Sequence, residues 1–293
     1  ALQQSILDAE LMAAASALVS LRYNFASIVG PAIGGLLAAS FGAGWAYAID
    51  VGTFLASISA LLLQEATPAA EDGEGLSVGM IAEGLQYAWQ RKDLLGTYLI
   101  DMNAMFFGMP MALFPAMAEQ FGNASVGAFY AMPAVGAVAT SLVSGWTTKV
   151  NKHGLAVAIS ATVWGIAIIG FGLADQLWLA LLFLAVAGGA DNISGLFRMT
   201  MWNQSIPNHF RGRLAGIELV SYTTGPMLGN AEAGIVAGLF NVRTSVVSGG
   251  IFCVIGSIAT CVLLPAFLRY DGRQGIARKE AEEAERGTKA PAS

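Results

Sequence analysis

Long apolar runs broken by short polar stretches dominate this chain. Eight are long enough to cross a bilayer, since a span needs about 20 mainly apolar residues. They are approximately Leu18–Ala39, Trp45–Leu63, Leu94–Met117, Val126–Gly145, Leu155–Leu173, Leu177–Met201, Leu214–Leu239 and Val246–Leu268. The pattern predicts an all-α membrane protein, and the even number of spans places both ends on one side. Between the second and third runs the chain turns polar, with Gln64-Glu65-Ala66-Thr67-Pro68 followed by Glu71, Asp72, Gly73, Glu74 and Gly75. Met80, Ile81, Leu85, Ala88 and Trp89 then recur at helical spacing, which predicts a short amphipathic helix on the interface ahead of Arg91 and Lys92. The tail over 271–289 alternates Arg, Lys and Glu, the pattern of a solvated helix or a disordered segment.

One local pattern occurs twice. Gly30-Pro31-Ala32-Ile33-Gly34-Gly35 in the first run returns in the seventh as Gly225-Pro226-Met227-Leu228-Gly229-Asn230. Duplicated bundles are a mark of transporter folds, and a period of six spans puts the first copy on a fifth helix and the second on an eleventh. Four further spans are therefore expected upstream, and the missing N-terminal helices of the same protein are an expected partner. On this reading 1–63 holds the last two spans of a first bundle, 64–93 a linker, 94–268 a six-helix second bundle and 269–293 a tail. In lipid, glycine allows close backbone approach and proline bends a helix whose neighbours satisfy the freed carbonyl. Gly30, Pro31, Gly34 and Gly35, and likewise Gly225, Pro226 and Gly229, are expected at such contacts.

Composition agrees with the pattern. Hydrophobic residues make up 55% and charged residues 12%, which excludes a water-soluble globule. Of the 15 Lys and Arg residues, only Arg243 falls on the side opposite the termini, so the positive-inside rule places both termini in the cytoplasm of a multi-pass cell membrane protein. The net charge of -5 comes largely from acids in the 64–93 segment and the tail and argues against a nucleic-acid partner. No zinc spacing or phosphate loop occurs, so no metal or other cofactor is expected. Gly75-Leu76-Ser77-Val78-Gly79 matches a nucleophile elbow, yet it sits in the linker and not at a strand-to-helix turn, so no enzyme is expected.

At this point the residues match a family. Tyr23-Asn24-Phe25 through Gly35 resembles the antiporter motif on the fifth helix of major facilitator superfamily exporters, and Gln204-Ser205-Ile206-Pro207 with Arg211-Gly212-Arg213 resembles the loop before their eleventh helix. With Glu83-Gly84-Leu85-Gln86-Tyr87 the likeness is to the branch of enterobactin exporters and macrolide efflux pumps. It implies a major facilitator-type helical bundle, with the eight spans equivalent to helices 5–12 of twelve. Two positions depart from the family pattern: Ala26 stands where the motif usually begins with Gly, and the loop from Gly145 to Lys152 lacks the Asp of the family's gating loop.

Ionisable residues inside spans point to function, because a charge at the helix centre costs about 2.5–3.5 kcal/mol on insertion scales. The candidates for a substrate and proton pathway are Asp101 with Asn103 and Met105, Asp191, Arg198, and Glu218 with Tyr222. Asp191 and Arg198 share a helix face but lie about 10 Å apart along the axis, so no direct pair is expected, and Arg198 is expected to snorkel to the interface. The fifth and eighth runs carry no internal charge, as suits helices facing lipid. Together these readings predict a secondary active exporter of an amphiphilic small molecule, a siderophore or a drug, by proton antiport with alternating access. The alternative is a non-transporting membrane component that needs a partner bundle.

Overall fold

Helix is the only regular structure among the described residues. Lipid demands this, because each backbone N–H and C=O in hydrocarbon must be satisfied within its own segment. The computed structural model describes residues 43–63, 86–122 and 125–289, together with positions 30, 33, 34, 37 and 79. The long helices are α1 (Ala43–Leu62), α2 (Lys92–Phe107), α3 (Ser125–Leu142), α4 (His153–Leu173), α5 (Leu177–Ser205), α6 (Asn208–Leu239), α7 (Val242–Leu263) and α8 (Gly272–Lys289).

Among the described residues five stretches are long and apolar enough to cross a membrane: Lys92–Phe121, α3, α4, α5 and α7. The expected run Leu18–Ala39 lies outside the described residues apart from isolated positions. Trp45–Leu63 is seen as α1, whose strongly apolar part is Tyr47–Ala60. Leu214–Leu239 lies within α6, which is 32 residues long but diluted by Glu218, Tyr222, Thr223, Thr224, Asn230 and Glu232. Five crossings are thus clear among the described residues.

Proline sets several boundaries that apolarity alone did not reveal. The run expected to continue from Leu94 to Met117 breaks at Gly108-Met109-Pro110, and a 3-10 turn at Met111–Leu113 and a short helix at Phe114–Ala118 follow. Pro110 has no N–H to donate and disfavours helical backbone at Met109. Pro207 separates α5 from α6, and Pro265 ends the eighth run at Leu263 with a single turn, Pro265–Leu268, beyond it. Pro133 and Pro226 stay inside α3 and α6.

Packing radiates from α4, which lies between α5 and α7, while α3 covers α5, and α2 meets both α6 and α7. Small residues bring these axes together. A side-chain carbon at Gly136 on α3 would overlap the Ala185 carbonyl of α5, and one at Gly188 the Pro133 carbonyl of α3. The core has two parts. Phe114, Phe129 and Phe171 meet edge-on near one end, with centroids 5.2–5.9 Å apart. Near the other end Leu94, Ile100, Val157, Phe197, Met201 and Phe267 are buried together. The outer face of α4, with Leu155, Ile159, Val163 and Ile166, stays exposed, as does every described side chain of α1. Apolar helix faces of this kind suit contact with acyl chains or with further helices.

The charged tail is helical and its first half is docked. Lys279 Nζ donates to the Asn203 carbonyl at 3.2 Å, and Glu282 accepts from the Tyr87 hydroxyl at 3.0 Å. In the predicted amphipathic helix of the linker, residues 86–90 are helical; the remainder lies outside the described residues except for position 79.

Candidate functional site

Asp101 on α2 and Arg198 on α5 face each other across the helix contact, buried to 8% and 3% exposure. Arg198 Nη1 is ion-paired with Asp101 Oδ1. Its Nη2 lies 4.0 Å from Asp191 Oδ1, so Arg198 bridges two carboxylates. This corrects both expectations for Arg198: it does not snorkel outward, and it does reach Asp191. Side chains on a helix tilt toward its N-terminus, and the long arginine stem then spans most of the rise between positions 191 and 198. Burial of the guanidinium is tolerable because Asp101 compensates its charge, whereas an unpaired ion would cost several kcal/mol.

Asp191 is not enclosed; its side chain is 61% exposed. It opens into a cavity of about 280 Å³ lined also by Met105, Asn192, Arg198, Met199 and Tyr222. Next to it lies a smaller chamber of about 150 Å³ with Tyr98, Trp202, Asn203, Leu214 and Glu218 on its walls and Met199 shared between the two. Tyr222 stands one turn from Glu218 on α6. The structure therefore gathers Met105, Asp191, Arg198 and Tyr222 around one cavity, with Asp101 behind Arg198 and Glu218 in the adjoining chamber. Three carboxylates against one guanidinium leave the group net acidic, a setting for protons, cations or hydroxyl donors.

Asn103 is placed elsewhere. Its Nδ2 donates to the Cys253 carbonyl at 2.8 Å on α7, and Ser257 Oγ is within 3.5 Å, which clamps α2 to α7. The second Gly-Pro copy lies against α2: a carbon at Gly225 would touch Met105 and Met102 side chains at 3.3–3.5 Å, and one at Gly229 would overlap the Met105 and Phe106 carbonyls. Pro226 sits in the same stretch of α6. In the first copy Gly30 and Gly34 are helical, with open space where a side-chain carbon would stand at each, whereas Pro31 and Gly35 lie outside the described residues.

Two groups escaped the sequence reading. Tyr98 and Trp202 stack with centroids 5.2 Å apart, and the Trp202 indole donates to Thr97 Oγ1 at 3.0 Å. Helix periodicity alone gave no sign of this, since the partners stand on different helices. The other group surrounds Arg91, which is 3% exposed. It donates to both Asp93 oxygens at 3.0 and 2.8 Å, to the Tyr87 hydroxyl at 2.9 Å, to the Ser205 carbonyl at 3.4 Å and to Glu282 Oε1 at 3.3 Å. Burial pushes the Tyr87 hydroxyl up to about 12, with Arg91 opposing and Glu282 adding to the shift. The spacing of Tyr87 and Arg91 at i,i+4 was a readable signal; the arrival of Glu282 from the tail was not.

Among the described residues, no group of three or more His, Cys, Asp or Glu side chains is arranged to hold a metal. Comparison with known proteins bears on the whole chain. The family described as transmembrane secretion effector matches residues 1–280. The enterobactin exporter of Shigella flexneri is 29% identical over 264 residues, covering 89% of this chain and 63% of that protein. The enterobactin exporter of Shigella boydii is 28% identical over the same shares. The chain thus spans under two thirds of the length of these relatives. With apolar crossings, a duplicated Gly-Pro motif whose second copy is seated between α6 and α2, and a family match over nearly its full extent, the chain belongs to the transmembrane secretion effector branch of the major facilitator superfamily.

Proposed function

We propose that this chain forms the second bundle, and part of the first, of a secondary transporter that exports an amphiphilic small molecule across the inner membrane by proton antiport. The observation that carries the reading is the buried Asp101–Arg198 pair with Asp191 as a second carboxylate 4.0 Å from the same guanidinium. A proton arriving on Asp101 neutralises it and frees Arg198 to move fully to Asp191. Loss of that proton draws Arg198 back. The two arrangements supply a bistable element between α2 and α5, which alternating access requires. Both termini lie in the cytoplasm, residues 64–93 link the two bundles, and Gly225, Pro226 and Gly229 seal α6 against α2. The relatives named as enterobactin exporters support a siderophore-like cargo, and the soft walls of Met105 and Met199 suit an amphiphile.

The 61% exposure of Asp191 favours the first bundle facing it, because a carboxylate turned to acyl chains would cost about 2.5–3.5 kcal/mol on insertion scales. On that reading the chain does not transport without the helices that cover this face. The test uses proteoliposomes of the full gene product under an imposed proton gradient, with uptake of a siderophore and a panel of amphiphilic drugs. Asp101→Asn and Glu218→Gln together should abolish gradient-driven movement while leaving downhill exchange. Undiminished gradient-driven transport by that double variant would place the proton site elsewhere.

A further inference from the structure

A second cavity, larger than the acidic one, lies on another face of the bundle. It is an open groove of about 950 Å³ along α3, α4 and α5. It is lined by small residues, Ala139, Ala156, Ser160 and Gly189, and by Ile159 and Val163. On α4 it runs from Lys152 to Val163, about 16 Å at 1.5 Å per residue. Half of a hydrocarbon core of about 30 Å is about 15 Å, so the groove has the length of one leaflet. An apolar crevice on the exposed face of α4, one leaflet long, matches a lipid tail in both length and solvent preference.

The mouth is different in kind. There Trp146, Asn151, Lys152 and Asp271 line the end of the groove. Trp at this level is usual for a membrane–water boundary. Asp271 comes from the start of the tail and is held beside the α3–α4 loop by the Gly272 N–H, which donates to the Asn151 carbonyl at 3.2 Å. Among the described residues Lys152 makes no ion pair, with Asp271 or with any other acid. Among the described residues the Asp271 carboxylate accepts a backbone N–H, that of Arg273 at 2.9 Å, and a carboxylate has acceptor capacity for more. One cation and one anion lining the same end of a leaflet-length groove complement a headgroup bearing both charges.

We propose that this groove seats a phospholipid with a zwitterionic headgroup carrying a free ammonium, phosphatidylethanolamine being the simplest case. Lys152 meets the phosphate and Asp271 accepts from the ammonium N–H groups. A trimethylated headgroup has no N–H to offer Asp271, and a purely anionic one meets its repulsion. The bound lipid ties the tail to the α3–α4 loop, at the end of α4 where the bundle meets the interface.

Native mass spectrometry of the full gene product in detergent, with equal amounts of phosphatidylethanolamine, phosphatidylcholine and phosphatidylglycerol, reads the proposal directly. The expected result is retention of phosphatidylethanolamine several-fold above the other two. Asp271→Asn, which keeps the volume and the acceptor for the Arg273 N–H, should bring phosphatidylethanolamine down to the level of phosphatidylcholine. Lys152→Gln should weaken all three, and Ala156→Phe, which puts a ring into the groove, should lower all retention. Equal retention by the unaltered protein, or a preference for phosphatidylglycerol as for a plain basic patch, would overturn the proposal. So would a phosphatidylethanolamine preference that survives Asp271→Asn, or retention indifferent to Ala156→Phe.

Discussion

Replacing Arg198 with Met tests the central ion pair and can be worked through in magnitude. Asp101 is 8% exposed and has Arg198 as its ion-pair partner among the described residues, so the substitution strands a buried carboxylate. Breaking a buried pair from one side costs about 3–5 kcal/mol. The reverse change, Asp101→Leu, should cost less, because the guanidinium keeps Asp191 at 4.0 Å; loss of one charge-assisted contact is about 1.5–3 kcal/mol. The double variant removes both buried charges and is expected within about 1 kcal/mol of the starting protein, since apolar replacement of a buried pair is often neutral or stabilising. At about 2–4 °C per kcal/mol for a domain of this size, Arg198→Met should lower the melting midpoint by about 6–20 °C, Asp101→Leu by less, and the pair together by a few degrees. Intrinsic tryptophan fluorescence in detergent follows the transition. If the two single costs simply add in the double variant, with a coupling below about 0.5 kcal/mol, the side chains are not paired and the proposed switch loses its basis.

Further expectations rest on other contacts. Gly136→Ala and Gly188→Ala force a carbon into the facing carbonyls of α5 and α3 and should each cost about 1–3 kcal/mol in the same melt, whereas Gly195→Ala meets open space and should be neutral or slightly stabilising. Asn103→Leu removes the α2–α7 hydrogen bond but leaves the Cys253 carbonyl with Ser257 Oγ at 2.8 Å, so it should destabilise by about 0.5–1.5 kcal/mol and leave the pH profile of transport unchanged; a shifted profile would return Asn103 to the pathway. Glu282→Gln should loosen α8 and speed tryptic cleavage in the tail without lowering cargo affinity. The docked tail should also loosen with base. Tyr87 ionises at 10.0 when free and at about 12 when docked, so the stability it lends is full below pH 10 and is lost as pH rises from about 10 through about 12. Tyr87→Phe should remove that window from pH-dependent proteolysis.

The acids show how far a sequence carries. Asp101, Asp191 and Glu218 stood out because ionisable groups in apolar runs demand a reason, and Tyr222 and Met105 followed from neighbouring positions. Nothing along the chain said that Arg198 would turn inward. Its lean toward Asp191 is a property of side-chain direction on a helix, but its bond to Asp101 depends on which face of α2 meets α5. Asn103 illustrates the opposite outcome: adjacent in sequence to the pathway, it is rotated by two positions onto α7.

What the sequence determined by itself is the solvent, the class and the family. Apolar runs of span length leave no other fold than helices in lipid, and the Gly-Pro pattern repeated in two of those runs points to the superfamily without any tertiary contact. What only the tertiary structure decided is who meets whom. Periodicity ranks residues by face along one axis, whereas the rotation of each helix about its axis is set by close contacts such as Gly136 on Ala185, Gly188 on Pro133 and Gly229 on Met105. Those contacts turn Arg198 onto Asp101, bring Glu282 to Arg91 across the length of the chain, and leave open beside α4 a groove that no linear pattern encodes. Each is a relation between helices, and its energy comes from a fit that exists once the backbones have closed.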